Sequence, residues 1–74
     1  MKIFITGASG FVGKVLIEDI QKLDYKIKVL SRKKNFFLEK IADEVIYKDF
    51  LNIENWSEIL KNVDIVIHLL SKQH

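Results

Sequence analysis

The chain contains no cysteine and no proline, and its three glycines, Gly7, Gly10 and Gly13, fall within one short segment. The lack of cysteine excludes disulfides, thiolate catalysis and cysteine-based zinc sites together. His68 and His74, the two histidines, do not form a metal cluster by their spacing. No apolar run approaches the ~20 residues of a membrane span. The apolar stretch after Lys2 is too short for a signal peptide and lacks its small-residue cleavage site. These absences lead to the expectation of a soluble, cytoplasmic protein with no membrane partner. A net charge of +2 is too small to imply nucleic-acid binding. No repeat, low-complexity tract or composition shift marks an internal boundary, so residues 1–74 read as one domain at most.

Apolar residues make up 49% of the chain and charged residues 30%, a balance that argues against disorder. In Lys2 to Thr6, the residues after Lys2 are β-branched or aromatic and run into Gly7, which predicts a buried strand. Val12, Val15, Leu16, Ile20 and Leu23 then recur at helical spacing, with Glu18 and Lys22 placed as an i,i+4 pair. A second strand is expected over Lys26 to Ser31, with Ile27, Val29 and Leu30 inward, followed by a short helix from about Phe36 to Lys40. Glu44 to Tyr47 predict a third strand. Ile53, Trp56, Ile59, Leu60 and Val63 predict a full third helix capped by Asn52 or Asn55. Asp64 to Leu70 are nearly continuous apolar sequence, as in a strand covered on both faces of a parallel sheet. The alternation β-α-β-α-β-α-β with right-handed crossovers implies an α/β, Rossmann-like three-layer sandwich whose four parallel strands lie in the order 3-2-1-4.

A pyrophosphate needs backbone N–H groups aimed at it, a positive helix end nearby and no side chain between. The turn Thr6-Gly7-Ala8-Ser9-Gly10-Phe11-Val12-Gly13 supplies this combination. Gly7 can take the positive φ of a tight turn leaving the strand. Gly10 lets a phosphate approach the backbone, and Gly13 lets the helix lie close to the strand. Ser9 offers a hydroxyl to the phosphate. The competing readings are a tight turn with no ligand and a relaxed Walker A loop at Ala8…Gly13-Lys14. The latter lacks its magnesium-binding hydroxyl, since Val15 stands in that position.

The spacing Gly-x-x-Gly-x-x-Gly after Thr6 resembles the extended or atypical short-chain dehydrogenase/reductase superfamily, which includes nucleotide-sugar epimerases and dehydratases. Lys48-Asp49-Phe50-Leu51 resembles that family's acidic segment after the third strand, and the resemblance implies that the Asp49 carboxylate contacts the adenine amino group. Asp64-Ile65-Val66-Ile67-His68-Leu69 resembles the family's fourth strand, Val-Asp-x-Val-Ile-His-Leu-Ala-Ala, although Leu70 and Ser71 replace the Ala-Ala. The resemblance implies an N-terminal Rossmann portion whose dinucleotide contacts are Gly7, Ser9, Gly10, Phe11, Val12, Gly13, Arg32, Asp49 and Phe50. Asp49 read as a simple turn cap is the plainer alternative.

An NAD-preferring Rossmann site usually carries an acidic residue at the end of the second strand for the ribose 2′-hydroxyl. Ser31 and Arg32 occupy that position, so the expectation is NADP, with NAD the alternative. Lys33 and Lys34, taken singly, read as a solvated turn. His68 reads as a packed strand histidine with a local hydrogen bond, and Trp56 as part of a helix core face. In the family resembled, chemistry belongs to a Tyr-x-x-x-Lys pair, whereas Tyr25 and Tyr47 are followed four residues later by Val29 and Leu51. The expected function is therefore the NAD(P)-binding portion of a nucleotide-sugar epimerase, dehydratase or related reductase, binding a dinucleotide without turning over substrate alone. A non-catalytic dinucleotide-binding or redox-sensing module, and a self-associating remnant that binds nothing, are the alternatives. The apolar strand over Asp64 to Leu70 would be left as an edge, which suggests a homo-oligomer.

Overall fold

The computed structural model describes residues 1–7 and 11–69. Its strands are β1 (Lys2–Thr6), β2 (Lys26–Ser31), β3 (Glu44–Tyr47) and β4 (Ile65–His68). Its helices are α1 (Phe11–Gln21), α2 (Phe36–Ile41) and α3 (Trp56–Ile59), with a 3₁₀ turn at Phe50–Asn52 before α3. All the strands pair in parallel, in the order β3-β2-β1-β4, the order expected from the alternation of elements. Among the described residues no helix is long and apolar enough to cross a membrane.

β1 lies at the centre of the sheet and is buried on both faces, with Ile3, Phe4 and Ile5 at most 3% exposed. Ile3 and Ile5 are beside Ile27 and Val29 of β2 in the pairing register, and the four pack against Ile17 and Ile20 of α1 and Leu38 of α2. Phe4, one residue out of phase, takes the opposite face and meets the edge of the Trp56 ring at a centroid distance of 6.3 Å. Ile27, Val29 and Leu30 are all buried, as expected.

The starts of the outer strands are held by paired backbone and side-chain bonds. Asp43 donates its N–H to the Ile27 carbonyl, and its carboxylate accepts the Ile27 N–H at 2.7 Å. Asp64 makes the same double contact with Lys2, its carboxylate 2.8 Å from the Lys2 nitrogen. Each aspartate thus satisfies two backbone groups at the first rung and sets the register of the strand it precedes.

Several expectations are corrected. In α1 the buried stripe is Gly13, Ile17 and Ile20, whereas Val15 and Leu23 are exposed. Positions i, i+4 and i+7 share a helix face, and the helix ends before Leu23. The same early ending removes the Glu18–Lys22 pair. Lys22 lies past the last helical residue and sits instead 3.8 Å from Asp19. The full third helix shortens to the single turn of α3, capped by Asn55, whose side chain accepts the Glu58 N–H at 3.2 Å. Turns of the tighter, three-residue kind come next, with the Lys61 N–H donating to the Glu58 carbonyl and the Val63 N–H to the Leu60 carbonyl, and Asn62 takes φ 65. Asparagine tolerates that left-handed conformation and ends the helix before β4.

α2 begins on Asn35, whose side chain accepts the N–H groups of Phe37 and Leu38. It buries Leu38, half-buries Phe37 and leaves Phe36 exposed. The Tyr47 hydroxyl donates to Glu39 and accepts the Asn35 N–H at 3.4 Å, joining β3 to α2. Desolvation and then the Glu39 carboxylate push its pKa up from 10.0.

Lys28 is buried although it is charged. Because β2 is covered on both faces, its aliphatic stem packs beneath α3 while its ammonium donates to the Ile59 carbonyl at 2.8 Å, with Glu44 at 3.9 Å. The cation therefore sits at the C-terminal, electronegative end of α3.

Candidate functional site

In a parallel sheet of this order, the chain leaves β1 towards one face and returns to β4 across the other, which opens a crevice at the carboxyl ends of the strands. A cleft of ≈ 230 Å³ lies there, lined by Thr6 and Gly7 after β1, Leu30, Ser31 and Arg32 after β2, Lys48, Asp49 and Phe50 after β3, and His68 and Leu69 after β4. Every strand thus contributes its end to one concavity. A roomier groove of ≈ 460 Å³ runs beside β3 and α3, away from the glycine turn, and is lined by Lys28, Glu44, Glu54 and Glu58 among others.

Gly7 has φ 75, the left-handed conformation expected of it. Phe11 and Val12 are the opening residues of α1, and Gly13 is buried in its first turn. Ser9 and Gly10 lie outside the described residues, as do Leu70 and Ser71. Gly7, Arg32, Asp49 and Phe50 come together on the cleft, whereas Lys33 and Lys34 are not among its lining residues. The Lys34 ammonium lies 5.3 Å from the Phe36 ring centroid instead.

Asp49 does cap the following turn: one carboxylate oxygen, Oδ1, accepts the Leu51 N–H at 3.0 Å. That bond leaves Oδ2 outside the cap, so capping and a contact in the cleft use different oxygens. Phe50 packs on His68 with centroids 5.1 Å apart and on Trp56 at 5.0 Å, so the aromatic contacts run from the cleft to Phe4 in the core. The His68 Nδ1 shares a hydrogen bond with the Thr6 hydroxyl of β1, across 62 residues of sequence, and the residue is exposed rather than packed as expected from the sequence. The neighbouring strand ends are joined as well, the Leu69 N–H donating to the Thr6 carbonyl at 3.0 Å and the Lys48 N–H to the Ser31 carbonyl at 3.0 Å.

The donor set fits the adenosine end of a dinucleotide. Leu30 and Phe50 give apolar surface for a flat base, Asp49 an acceptor for an amino group, and Arg32 and Lys48 positive charge for phosphate. Lys48, Thr6 and His68 were not singled out from the sequence as lining residues. The signal that would have found Lys48 is the parallel register: Ser31 lies opposite Tyr47, so the residues following each pass the same corner.

The sequence model of the family described as "NAD dependent epimerase/dehydratase family" matches residues 3–74. The chain is 35% identical over 72 residues to a sterol-4-alpha-carboxylate 3-dehydrogenase, decarboxylating, of Dictyostelium discoideum, covering 95% of this chain and 22% of that protein. It is 30% identical over 69 residues to a 2-alkyl-3-oxoalkanoate reductase of Shewanella oneidensis, covering 93% of this chain and 18% of that protein. The chain therefore spans about a fifth of the length of these curated relatives. Among solved structures, a UDP-N-acetylglucosamine 4-epimerase from Bacillus cereus superposes with a TM-score of 0.76 at 27% identity, over 100% of this chain and 23% of that one. A second structure, from Bacillus halodurans, shares the fold with a TM-score of 0.69 at 19% identity, over 89% of this chain and 31% of that one.

Proposed function

The chain belongs to the NAD dependent epimerase/dehydratase family, and from that premise we propose that its cleft binds the adenosine half of a nicotinamide dinucleotide. The observation that carries this reading is the convergence of Gly7 at φ 75, Arg32 and Asp49 on the crevice at the strand ends. In this reading the chain is the cofactor-binding portion of a nucleotide-sugar epimerase, dehydratase or related reductase. The likeness to the Bacillus cereus epimerase supports the nucleotide-sugar class. A bound nicotinamide supplies hydride transfer. The residues of this chain do the holding: Asp49 accepts from the adenine amino group, Leu30 and Phe50 flank the base, and the N-terminal end of α1 faces the pyrophosphate. Arg32 stands where an NAD-preferring site places a carboxylate, which supports NADP over NAD.

Calorimetric titration with NADPH and NADH tests both statements. Binding of NADPH more tightly than NADH is the expected result. Failure of both to bind at millimolar concentration overturns the cofactor reading, and a clear preference for NADH overturns the argument from Arg32.

We further propose that β4 pairs with a second copy of the chain. Among the described residues it is an edge strand, on which Ile65 is 39% and Val66 53% exposed. Strand pairing about a two-fold axis would satisfy both copies' open backbone groups and cover those side chains. Light scattering at high protein concentration should give a dimer or larger species, and a monomer refutes the proposal.

A further inference from the structure

We infer that Lys48 is a specificity-determining residue of the cleft, forming with Arg32 a two-cation pocket for the 2′-phosphate of an NADP-type dinucleotide. The inference rests on the dinucleotide reading and deepens it by naming a residue from a different strand.

The first support is placement. The Lys48 N–H donates to the Ser31 carbonyl at 3.0 Å, which fixes the chain leaving β3 beside the end of β2, one residue from Arg32. Both cations line the cleft, and both are exposed. Lys33 and Lys34, nearer to Arg32 in sequence, do not line it. The fold thus replaces two adjacent lysines with a third from the next strand.

The second support is charge. Among the described residues the ion pairs are Lys22–Asp19 and Lys28–Glu44, so no carboxylate pairs directly with Arg32 or Lys48, although Lys48 also borders the groove that holds Glu44, Glu54 and Glu58. Asp49 is the one carboxylate among the cleft's lining residues, and its Oδ1 is engaged by the Leu51 N–H. The Ser31 hydroxyl donates its proton to the Lys33 carbonyl at 2.7 Å and so has none for a phosphate. A phosphate monoester carries roughly −1.5 to −2 charge at neutral pH, more than one guanidinium balances. A second cation is therefore the part the site requires, and Lys48 supplies it. An unphosphorylated ribose has no use for that charge, so its effect discriminates between the two cofactors.

The test is calorimetric titration of the chain and of its Lys48→Gln and Lys48→Arg variants with NADPH, NADH and 2′,5′-ADP. Lys48→Gln should weaken NADPH and 2′,5′-ADP by about fivefold to tenfold, the scale of one charge-assisted contact. NADH should weaken far less, and Lys48→Arg should restore most of the affinity for NADPH. The NADPH effect should shrink as salt is raised, as expected for a solvent-accessible charge. Equal losses for NADPH and NADH, or no loss, overturn the role of Lys48 while leaving the dinucleotide reading standing. If the unmodified chain binds none of the three ligands, both fall.

Discussion

Replacing Gly7 by alanine should lower the stability of the chain by about 2–5 kcal/mol, before any ligand is considered. Two costs combine. Gly7 sits at φ 75, where an L side chain pays about 1–2 kcal/mol. A Cβ added there would also lie 2.0 Å from the carbonyl oxygen of Leu69, a backbone atom that cannot rotate aside. Leu69 is held in turn by its N–H bond to Thr6, so relief requires the end of β4 to move away from β1. A chain of this length has a total stability of roughly 4–11 kcal/mol, so the variant should approach unfolding. A thermal melt followed by circular dichroism should show a fall of roughly 10–30 °C, whereas a shift of only a few degrees refutes the clash. The result also bears on how a binding defect is read: loss of dinucleotide affinity in Gly7→Ala reports the packing of β4 together with any contact Gly7 makes in the cleft.

Phe4→Ala should cost about 3–5 kcal/mol, the usual range for removing a fully buried aromatic ring. Phe4 is 0% exposed and fills the face of the sheet opposite α1 and α2. Its ring supports Trp56 at 6.3 Å, and Trp56 supports Phe50 at 5.0 Å. α3 has only four residues and cannot persist by its own hydrogen bonds, so its position depends on these contacts. Trp56 is the single tryptophan, which makes its emission a direct reporter. The variant should show red-shifted emission as well as a lowered melting temperature, and Phe4→Leu should recover most of both. Unchanged emission in Phe4→Ala would mean that Trp56 is held by something other than Phe4. Because Phe50 and His68 continue the stack into the cleft, the same substitution should loosen the candidate site.

The sequence alone carried the strands to within a residue or two, their parallel order and the conformation of Gly7. These depend on local signals: β-branched runs between breakers, the alternation of strand and helix, and a glycine directly after a strand. It also named Arg32 from its position after the second strand, and Asp49 and Phe50 through the family resemblance, and the fold brings all three to the lining of one cleft. α1 was legible as a helix but not in its buried stripe, since the apolar residues surround much of its circumference and only the sheet selects Ile17 over Val15. The full third helix was a faulty expectation because apolar spacing cannot show where Asn62 turns the chain.

The glycine turn shows where tertiary structure took over. Gly7 was legible as a turn residue, and the approach of Leu69 that makes it irreplaceable comes from a strand end 62 residues farther along the chain. The burial of Lys28 beneath α3, the division of Asp49 between a cap and the cleft, and the arrival of Lys48 beside Arg32 have the same origin. Periodicity and propensity act over a few neighbouring residues, whereas these contacts arise from the register of parallel strands, which is set by distant backbone bonds such as those of Asp43 and Asp64.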